Sequence, residues 1–437
     1  MENIFDTDQE NIRDILDGEK YKERLDFLQV NDNISFTWNT DGVPVFESSN
    51  FSIWPLLLTI NEVKPELRSE YVLLQGLHFG QKKPLMSTYL KPFVKELKSL
   101  YDDGLCWRDS QGEQHITKCI ALLSCVDSPA RATLQNIKQF NGKFGCSFCE
   151  HPGVIVEKGR GFTRAYPISS PLPNVRNGHG MLQQGKEAET TNVDAVFGVK
   201  GVSELHNLPF FDLSQSFSPD YMHSCLLGVV RQILNLLFDS TNHAAAFYLG
   251  PQALRSIDDV MISFCPPSDI SRSPRSIAHR AQWKANEFRC FLLFYSPIVF
   301  ENIMETNYYL HWLLLVNAIH ILVGRDITKP DIVRAKLYMY KFVVQMKQLY
   351  GIENVSFNVH LLTHLADSVL AWGPLWATSA FIFEDSNRKL LNMFHGTQGV
   401  QIQIVKHFLG YKQLTEKAAS CMGTASAIVQ DTFSKLT

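Results

Sequence analysis

The amino-acid sequence predicts an α/β protein in which a sheet-containing core is interrupted by a large, mostly helical insertion. Strand-like segments are concentrated between residues 34 and 126, where they alternate with a segment of helical periodicity. From Asp220 to about Leu370 the pattern is instead one of long helices with many aromatic residues. With 437 residues, the chain is long enough for more than one folding unit.

The predicted elements of the first part follow one another closely. Residues 1–32 are charged and have helical spacing, with Ile12, Ile15 and Leu16 on one face. We then predict strands over residues 34–39, 51–60 and 71–79, a helix over 87–101, a buried strand over 116–126 and a helix over 129–139. Three strands, a helix, a strand and a helix form the opening order of a ribonuclease-H-like fold, although many other α/β domains begin similarly.

The remainder of the chain differs in composition and periodicity. Residues 157–195 are rich in Gly, Pro, Ser and Asn, which predicts an extended loop. The longest apolar run, Tyr308–Val323, is interrupted by histidines and is too short for a membrane span, so we expect a buried helix. A helical pattern resumes near Leu375. The sequence thus divides into a helical lead-in (1–32), a first part of the core (33–145), a helical insertion (146–374) and a C-terminal part of the core (375–437).

Composition limits the function classes. A hydrophobic share of 45% and a charged share of 19% are those of an ordinary globular protein. The formal net charge of −3 does not favour a nucleic-acid partner, although a local basic groove is compatible with it. Nine irregularly spaced cysteines and a polar opening segment do not predict a disulfide framework or a signal peptide, so we expect a soluble, intracellular protein.

Three carboxylates are candidates for a catalytic metal site. Asp41 and Asp127 each directly follow a predicted strand, and Glu384 lies on a predicted helix far downstream. Neighbouring strand ends can bring carboxylates together, and Mg²⁺ prefers such oxygen ligands. Three converging carboxylates can hold two metal ions that clamp the attacking and leaving oxygens of a phosphodiester. Each residue alone also has an ordinary explanation, because an Asp after a strand is commonly a turn former.

Four potential zinc ligands come in two pairs. Cys146 and Cys149 form a CxxC motif, which suits a tetrahedral Zn²⁺ but is also compatible with redox chemistry or with two structurally ordinary cysteines. His360 and His364 are spaced to share one face of a helix. Together the pairs make a Cys₂His₂ set, which we expect to hold a structural zinc that closes a large insertion.

A further pair, Asp220 and His223, is spaced to share a helix face and could lie near DNA or a metal. A helix N-terminus with Asp220 as its cap explains the pair equally well. Trp283 could stack on an extruded base and Arg275 could contact DNA. Packing in the core is the favoured explanation for Trp283.

Taken together, these motifs resemble the DDE transposases of the CACTA (EnSpm) group. The similar stretches cover roughly residues 33–400 and are, in order, NTDGVP (39–44), SIWP (52–55), YLKP (89–92) with EL (96–97), DSPA (127–130), the CxxC, DYMH (220–223) with LGVV (227–230), HLLTH (360–364), GPLW (373–376) and FE (383–384). The spacing also resembles that of the V(D)J recombinase, in which a CxxC follows the second Asp and a His pair precedes the Glu. Each motif is weak alone, but the ordered set is specific.

The resemblance implies a role for each group of residues. Asp41, Asp127 and Glu384 would be the catalytic triad that binds Mg²⁺ or Mn²⁺, and His223 would lie close to it. The Cys₂His₂ set would hold a structural zinc that joins the insertion to a nuclease core. The reaction would be hydrolysis of a phosphodiester at the element end, followed by attack of the freed 3′-hydroxyl on target DNA. The partners would be double-stranded DNA and a second copy of the chain, in the nucleus.

The sequence also departs from the group. Such transposases normally carry an N-terminal DNA-binding region, whereas this chain begins just upstream of the first predicted catalytic strand. A truncated copy or a domesticated derivative is therefore compatible with the sequence. Two alternatives remain beside the transposase, namely a transposase-derived DNA- or chromatin-binding protein without turnover and an inert remnant that keeps its fold.

Overall fold

The computed structural model describes residues 11–30, 32–46, 50–268, 270, 272–422, 426 and 430. It is a mixed α/β protein, as the sequence predicted. The strands are β1 (Ile34–Thr40), β2 (Val43–Pro44), β3 (Ser52–Ile60), β4 (Leu73–Gly80), β5 (Leu105–Arg108), β6 (Gln114–Thr117), β7 (Cys119–Ser124), β8 (Val154–Lys158) and β9 (Gly161–Ala165). The predicted strands at 34–39, 51–60 and 71–79 correspond to β1, β3 and β4.

Helices make up most of the remainder. The α-helices are α1 (Glu19–Lys22), α2 (Leu25–Leu28), α3 (Met86–Asp102), α4 (Ser128–Leu134), α5 (Gly178–Thr191), α6 (Arg231–Phe238), α7 (Gly250–Ile262), α8 (Ala285–Cys290), α9 (Ser296–Phe300), α10 (Thr306–Leu322), α11 (Lys329–Tyr350), α12 (Phe357–Trp372), α13 (Phe381–Leu391) and α14 (Val400–Met422). Met222–Val230 and Phe291–Tyr295 are π-helical. Residues 1–10 of the predicted helical lead-in lie outside the described residues.

The central sheet has five strands, and its pairing determines where the candidate carboxylates lie. β3 is antiparallel to both β1 and β4, and the two-residue β2 also pairs with β3. β1 and β7 are parallel, with Ile34 opposite Cys119. Beyond β7 the sheet is continued by a parallel bridge between Ser124 and Phe217. Because these three segments run in the same direction, their carboxyl ends, and the residues that follow them, meet at one edge of the sheet.

Each face of the sheet is covered by a different apolar cluster. On one face, Trp38 packs against Phe93 of α3 and against Phe217, with ring centroids 5.1 Å and 6.3 Å apart. The second cluster joins strand residues such as Leu57 to both ends of the chain. It includes, from those ends, Ile15, Tyr21, Leu28, Trp372, Phe383, Leu390, Val400 and Ile404. The helix that carries Glu384 is therefore part of the packing of the sheet.

A third and larger cluster is built mostly from helical residues between Tyr221 and Leu375, together with Ile12. The predicted buried helix at 308–323 is α10, and its Trp312, Leu315 and Ile319 are fully buried in this cluster. Within the described part of the chain, no helix combines the length and the apolar character that a bilayer crossing requires.

One sequence-based expectation differs from the structure. The predicted loop at 157–195 contains most of the β8–β9 hairpin and the 14-residue helix α5. Four residues that follow the predicted boundary at 146 pack with the sheet, namely Met181, Val199, Leu205 and Phe217. Glycine-rich composition concealed α5, in which Gly185 is required by close approach, since a Cβ there would lie 2.9 Å from the Gly201 backbone.

Candidate active site and metal cluster

Asp41 and Asp127 lie at the carboxyl ends of the two parallel strands β1 and β7. The Oδ1 atom of Asp41 accepts a hydrogen bond from the Gly42 N–H at 2.7 Å. Asp127 is the N-cap of α4, where its Oδ1 atom accepts from the Ala130 N–H at 2.7 Å. Both residues therefore have the local turn and cap contacts of an ordinary Asp. These contacts also fix the orientation of each carboxylate at the edge of the sheet.

The third carboxylate, Glu384, lies in the first turn of α13. Its charge reaches Asp41, since burial, and then the charges of Asp127 and Glu384, raise the pKa of Asp41 to about 7. The pKa of Glu384 is likewise raised, by desolvation and by the nearby charges of Asp220 and Asp127, and His223 opposes the shift. Carboxylates whose charges act on a neighbour in this way lie in the same part of the structure.

The oxygen atoms of the three carboxylates lie farther apart than the ligands of a single metal ion do. Among the described residues, the ligand atoms of the three carboxylates do not form a group within 4.8 Å of one another, whereas two other groups do. Two metal ions about 3.5–4 Å apart spread their ligands more widely than one ion does. One of the compact groups is Asp109, Glu113 and His115 in the β5–β6 hairpin, which sequence reasoning did not single out.

Asp220 and His223 form a hydrogen-bonded pair that faces Glu384. The Nδ1 atom of His223 lies 2.7 Å from Asp220 Oδ2, and its Nε2 atom lies 3.7 Å from Glu384 Oε1. Asp220 is buried, and its Oδ1 atom accepts from the Ala380 N–H at 2.9 Å. Burial disfavours a charge on the imidazole, but the hydrogen bond and charge of Asp220 outweigh it and raise the pKa of His223 to about 9. A positive charge therefore stands beside the carboxylates at neutral pH.

The contact between Asp220 and Ala380 is one that the sequence did not reveal. Asp220 does act like a cap, since its Oδ2 atom accepts from the His223 N–H at 3.0 Å. Its second oxygen, however, binds the residue that precedes α13. Asp220 and Ala380 are too far apart in the sequence for their contact to be predicted from it. The DxxH spacing did identify His223 as a candidate.

The structure brings together all four predicted zinc ligands, Cys146, Cys149, His360 and His364. The Sγ atom of Cys146 lies 3.6 Å from His364 Nε2, and the Sγ atom of Cys149 lies 3.3 Å from His360 Nε2. The two Nε2 atoms are 3.3 Å apart. Zinc ligands at about 2.0–2.3 Å in tetrahedral geometry lie about 3.3–3.8 Å from one another. The donor set and its spacing therefore fit zinc.

The surroundings of this cluster favour a thiolate. The backbone N–H of Phe148 donates to Cys146 Sγ at 3.4 Å. Burial alone would raise the pKa of the Cys146 thiol, but the hydrogen bond with Cys149 and the two imidazoles bring it well below its usual value. Since metal ligands must be deprotonated, such a thiol is prepared for a cation. The Nδ1 atom of His360 is buried and has no hydrogen-bond partner within the described structure.

Arg131 connects the two sites physically. It lies on α4 one turn after Asp127, is fully buried, and donates to Ser147 Oγ at 3.1 Å and to Ser218 O at 3.3 Å. Its guanidinium carbon lies 4.8 Å from the centroid of the Phe148 ring. Burial lowers the pKa of Arg131 to about 10, and the charges of Cys146 and Asp127 oppose the shift. One side chain thus spans the CxxC loop and the helix that Asp127 caps.

The two remaining DNA-contact candidates lie in the helical part. Trp283 is 6% exposed and packs against Phe288 and Phe291, as the core-packing explanation required. Arg275 forms a two-point ion pair with Glu287, at 2.6 Å and 2.9 Å, so its guanidinium is already engaged. Both side chains are therefore engaged in contacts within the protein rather than free to contact DNA.

Part of the chain resembles a known protein family. Residues 10–160 match the family described as transposase family tnp2. This match supports a transposase. No curated protein matches the chain. The matched stretch includes Asp41, Asp127 and the CxxC, whereas Glu384 and the histidine pair lie beyond it.

Proposed function

We propose that this chain is the catalytic part of a DNA transposase, which hydrolyses phosphodiester bonds and transfers strands with divalent metal ions held by Asp41, Asp127 and Glu384. Its substrate would be double-stranded DNA in the nucleus, and a second copy of the chain would hold the other DNA end. The CACTA group is the type of transposase that its ordered motifs resemble most. The tnp2 family match supports the coarser assignment.

The observation that carries the proposal is that the charges of Asp127 and Glu384 act on Asp41, and that Asp127 also acts on Glu384, although the three residues come from β1, α4 and α13. Holding such charges near one another costs free energy unless a cation balances them. Mg²⁺ or Mn²⁺ prefers oxygen ligands and, when bound, would activate the attacking oxygen and stabilise the leaving one. The three carboxylates are therefore suited to holding two such metal ions.

The sheet supports a ribonuclease-H-like interpretation. Its three antiparallel strands and a fourth strand parallel to the first are compatible with the element order that the sequence predicted. The further parallel segment at Phe217, which the sequence did not predict, extends the sheet in the same direction. In our proposal the helical cluster from Tyr221 to Leu375 is the insertion. The zinc set would tie α12 of that insertion to the loop after α4, since His360 and His364 lie on α12.

The protein's own groups would have distinct tasks in this reaction. Asp220 orients the His223 imidazole and keeps it protonated. His223 would then hold Glu384 in place through charge, at a separation of 3.7 Å. The hydrogen bonds from Gly42 and Ala130 keep the two aspartates oriented before DNA arrives, which lowers the cost of ordering the site.

The test is a nicking assay with the full chain, a DNA substrate and Mg²⁺ or Mn²⁺. Glu384→Gln and Asp127→Asn should abolish cleavage. Asp385→Asn is the matched control, because Asp385 is the next residue on α13 but forms ion pairs with Arg388 and Lys389. Metal-dependent cleavage that persists in Glu384→Gln would refute the triad. DNA binding by the wild type without any cleavage would favour the alternative of a transposase-derived binding protein.

A further inference from the structure

We propose that Lys83 binds a backbone phosphate of the DNA beside the three carboxylates and so positions the strand that is cut. The inference rests on the proposed function and adds to it a residue that no motif assigned. Lys83 lies in the loop between β4 and α3, and its side chain is exposed to solvent.

Two contacts hold the ammonium group of Lys83. Its Nζ atom donates a hydrogen bond to Thr133 Oγ1 at 2.7 Å. The same atom lies 4.9 Å from the centroid of the Trp54 ring, in cation–π geometry. An exposed lysine normally samples many rotamers, so these contacts restrict where its charge is found.

Both contacts lie close in the structure to the two catalytic aspartates. Thr133 lies on α4, the helix capped by Asp127. Trp54 packs directly on Gly42, the neighbour of Asp41, where an added Cβ would lie 2.5 Å from the ring. Lys83 is therefore tied to the same edge of the sheet as the carboxylates, from both sides.

The ammonium group of Lys83 has no carboxylate partner in the part of the chain that the structure describes. Throughout the described residues, no carboxylate oxygen within 4.0 Å of Lys83 Nζ is found, although Asp127 and Asp41 act on it from a greater distance. Partial desolvation by its neighbours lowers the pKa of this solvent-accessible lysine, and the nearby positive charge of Lys200 contributes to that shift. An ammonium group has three donors, and Thr133 takes one of them.

A phosphate is the ligand that suits this arrangement. Its oxygens would accept the remaining donors of Lys83 and would relieve the repulsion between Lys83 and Lys200. DNA brought to the carboxylates for cleavage carries such phosphates on both sides of the reacting bond. The lysine would hold the neighbouring phosphate, while the metal-binding carboxylates act on the bond itself.

The inference is tested by the salt dependence of DNA binding. Measurements are made in an Asp127→Asn background, so that no DNA is cut, with wild-type Lys83, Lys83→Met and Lys83→Arg. We expect Lys83→Met to reduce the slope of log affinity against log salt by about 1, equally for different DNA sequences. Lys83→Arg should retain the slope. The control Lys347→Met removes an exposed charge from α11, in the helical part, and should change nothing.

The outcomes separate this inference from the proposed function. An unchanged slope in Lys83→Met would overturn the phosphate contact, whether or not the wild type cuts DNA. A reduced slope in a protein that never cleaves DNA would support the contact and refute the transposase activity. If cleavage occurs, Lys83→Met in the otherwise native chain should raise KM for DNA more than it lowers kcat, because the lysine positions the strand. Thermal unfolding of each variant checks that the fold is retained.

Discussion

His223 stands between two carboxylates, with Nδ1 at 2.7 Å from Asp220 and Nε2 at 3.7 Å from Glu384. Asp220 in turn accepts from the backbone of Ala380, which immediately precedes the helix of Glu384. The π-helical segment that begins at Met222 and the start of α13 are thus joined by one polar chain. π-Helical turns are often found at functional sites, and this one orients the histidine.

Removing Asp220 should destabilise the protein strongly. Asp220→Ala leaves the half-buried His223 imidazole and the buried Ala380 N–H without their hydrogen-bond partner. We expect the free energy of unfolding to fall by about 3–5 kcal/mol, measured by chemical denaturation. Asp385→Ala, which removes an exposed ion pair from α13, should change it by less than about 1 kcal/mol. Equal losses in the two variants would contradict the structural role of Asp220.

Zinc content should depend on the Cys₂His₂ cluster. The wild type should bind one zinc per chain, and Cys149→Ser should lose it, because an alcohol is a far poorer ligand than a thiolate. Metal analysis of the purified proteins gives the stoichiometry, and thermal unfolding gives the loss of stability. Cys106→Ser is the control, since Cys106 is exposed and lies in β5 away from the cluster. Full zinc content in Cys149→Ser would disprove the cluster.

Arg131 should link zinc affinity to the carboxylate edge. Arg131→Met removes the hydrogen bonds to Ser147 and Ser218 and the contact with Phe148. Outer contacts of a metal site typically contribute about 10–100-fold in affinity, so we expect a loss of that order in competition with a chelator. Cleavage should also decline, because α4 carries Asp127. Arg160→Met, at the exposed tip of the β8–β9 hairpin, should leave zinc affinity unchanged.

The stability of the helical part should fall at mildly acidic pH because of His311. This residue is fully buried in α10, donates from Nε2 to the Phe342 carbonyl at 3.0 Å, and stacks on the Phe342 ring. Burial lowers the pKa of His311 to about 4 from the usual value of 6.5 for an exposed histidine. The unfolded chain therefore binds the proton more readily than the folded one between these values.

Because the unfolded chain binds this proton more readily, lowering the pH favours unfolding. The stability contributed by neutral His311 is fully present above pH 6.5 and is lost as the pH falls toward 4, by about 3 kcal/mol in total. Urea unfolding at a series of pH values measures this change. His311→Gln should have a flatter profile between pH 6.5 and 4 than the wild type. Profiles of the same slope would show that another group causes the acid sensitivity.

Much of the sheet could be predicted because its strands follow simple rules. β1 alternates apolar and polar residues, β3 is a short apolar run, and α3 repeats its apolar residues at helical spacing. The β5–β6 hairpin was not predicted separately from β7, since its pattern continues that of the buried strand. Helix α5 was missed because glycines at 178, 180 and 185 resemble a loop when packing is unknown.

The site was predictable only in part, for a related reason. Local spacing identified Cys146 with Cys149 and His360 with His364, because each pair lies within one turn or one helix. Contacts between distant segments, such as Asp220 with Ala380 and Arg131 with Ser218, leave no periodic trace in the sequence. Lys83 was overlooked for the same reason, since its partners Trp54 and Thr133 lie on separate elements.

The packing of α13 on the sheet has a consequence for synthesis on the ribosome. Asp41 and Asp127 leave the ribosome well before Glu384 and the helices that cover the same face with it. A nascent or prematurely terminated polypeptide that stops short of residue 384 has two of the acidic groups and lacks the third. Such a product has no means of cutting the genome in the way proposed for a chain that includes Glu384.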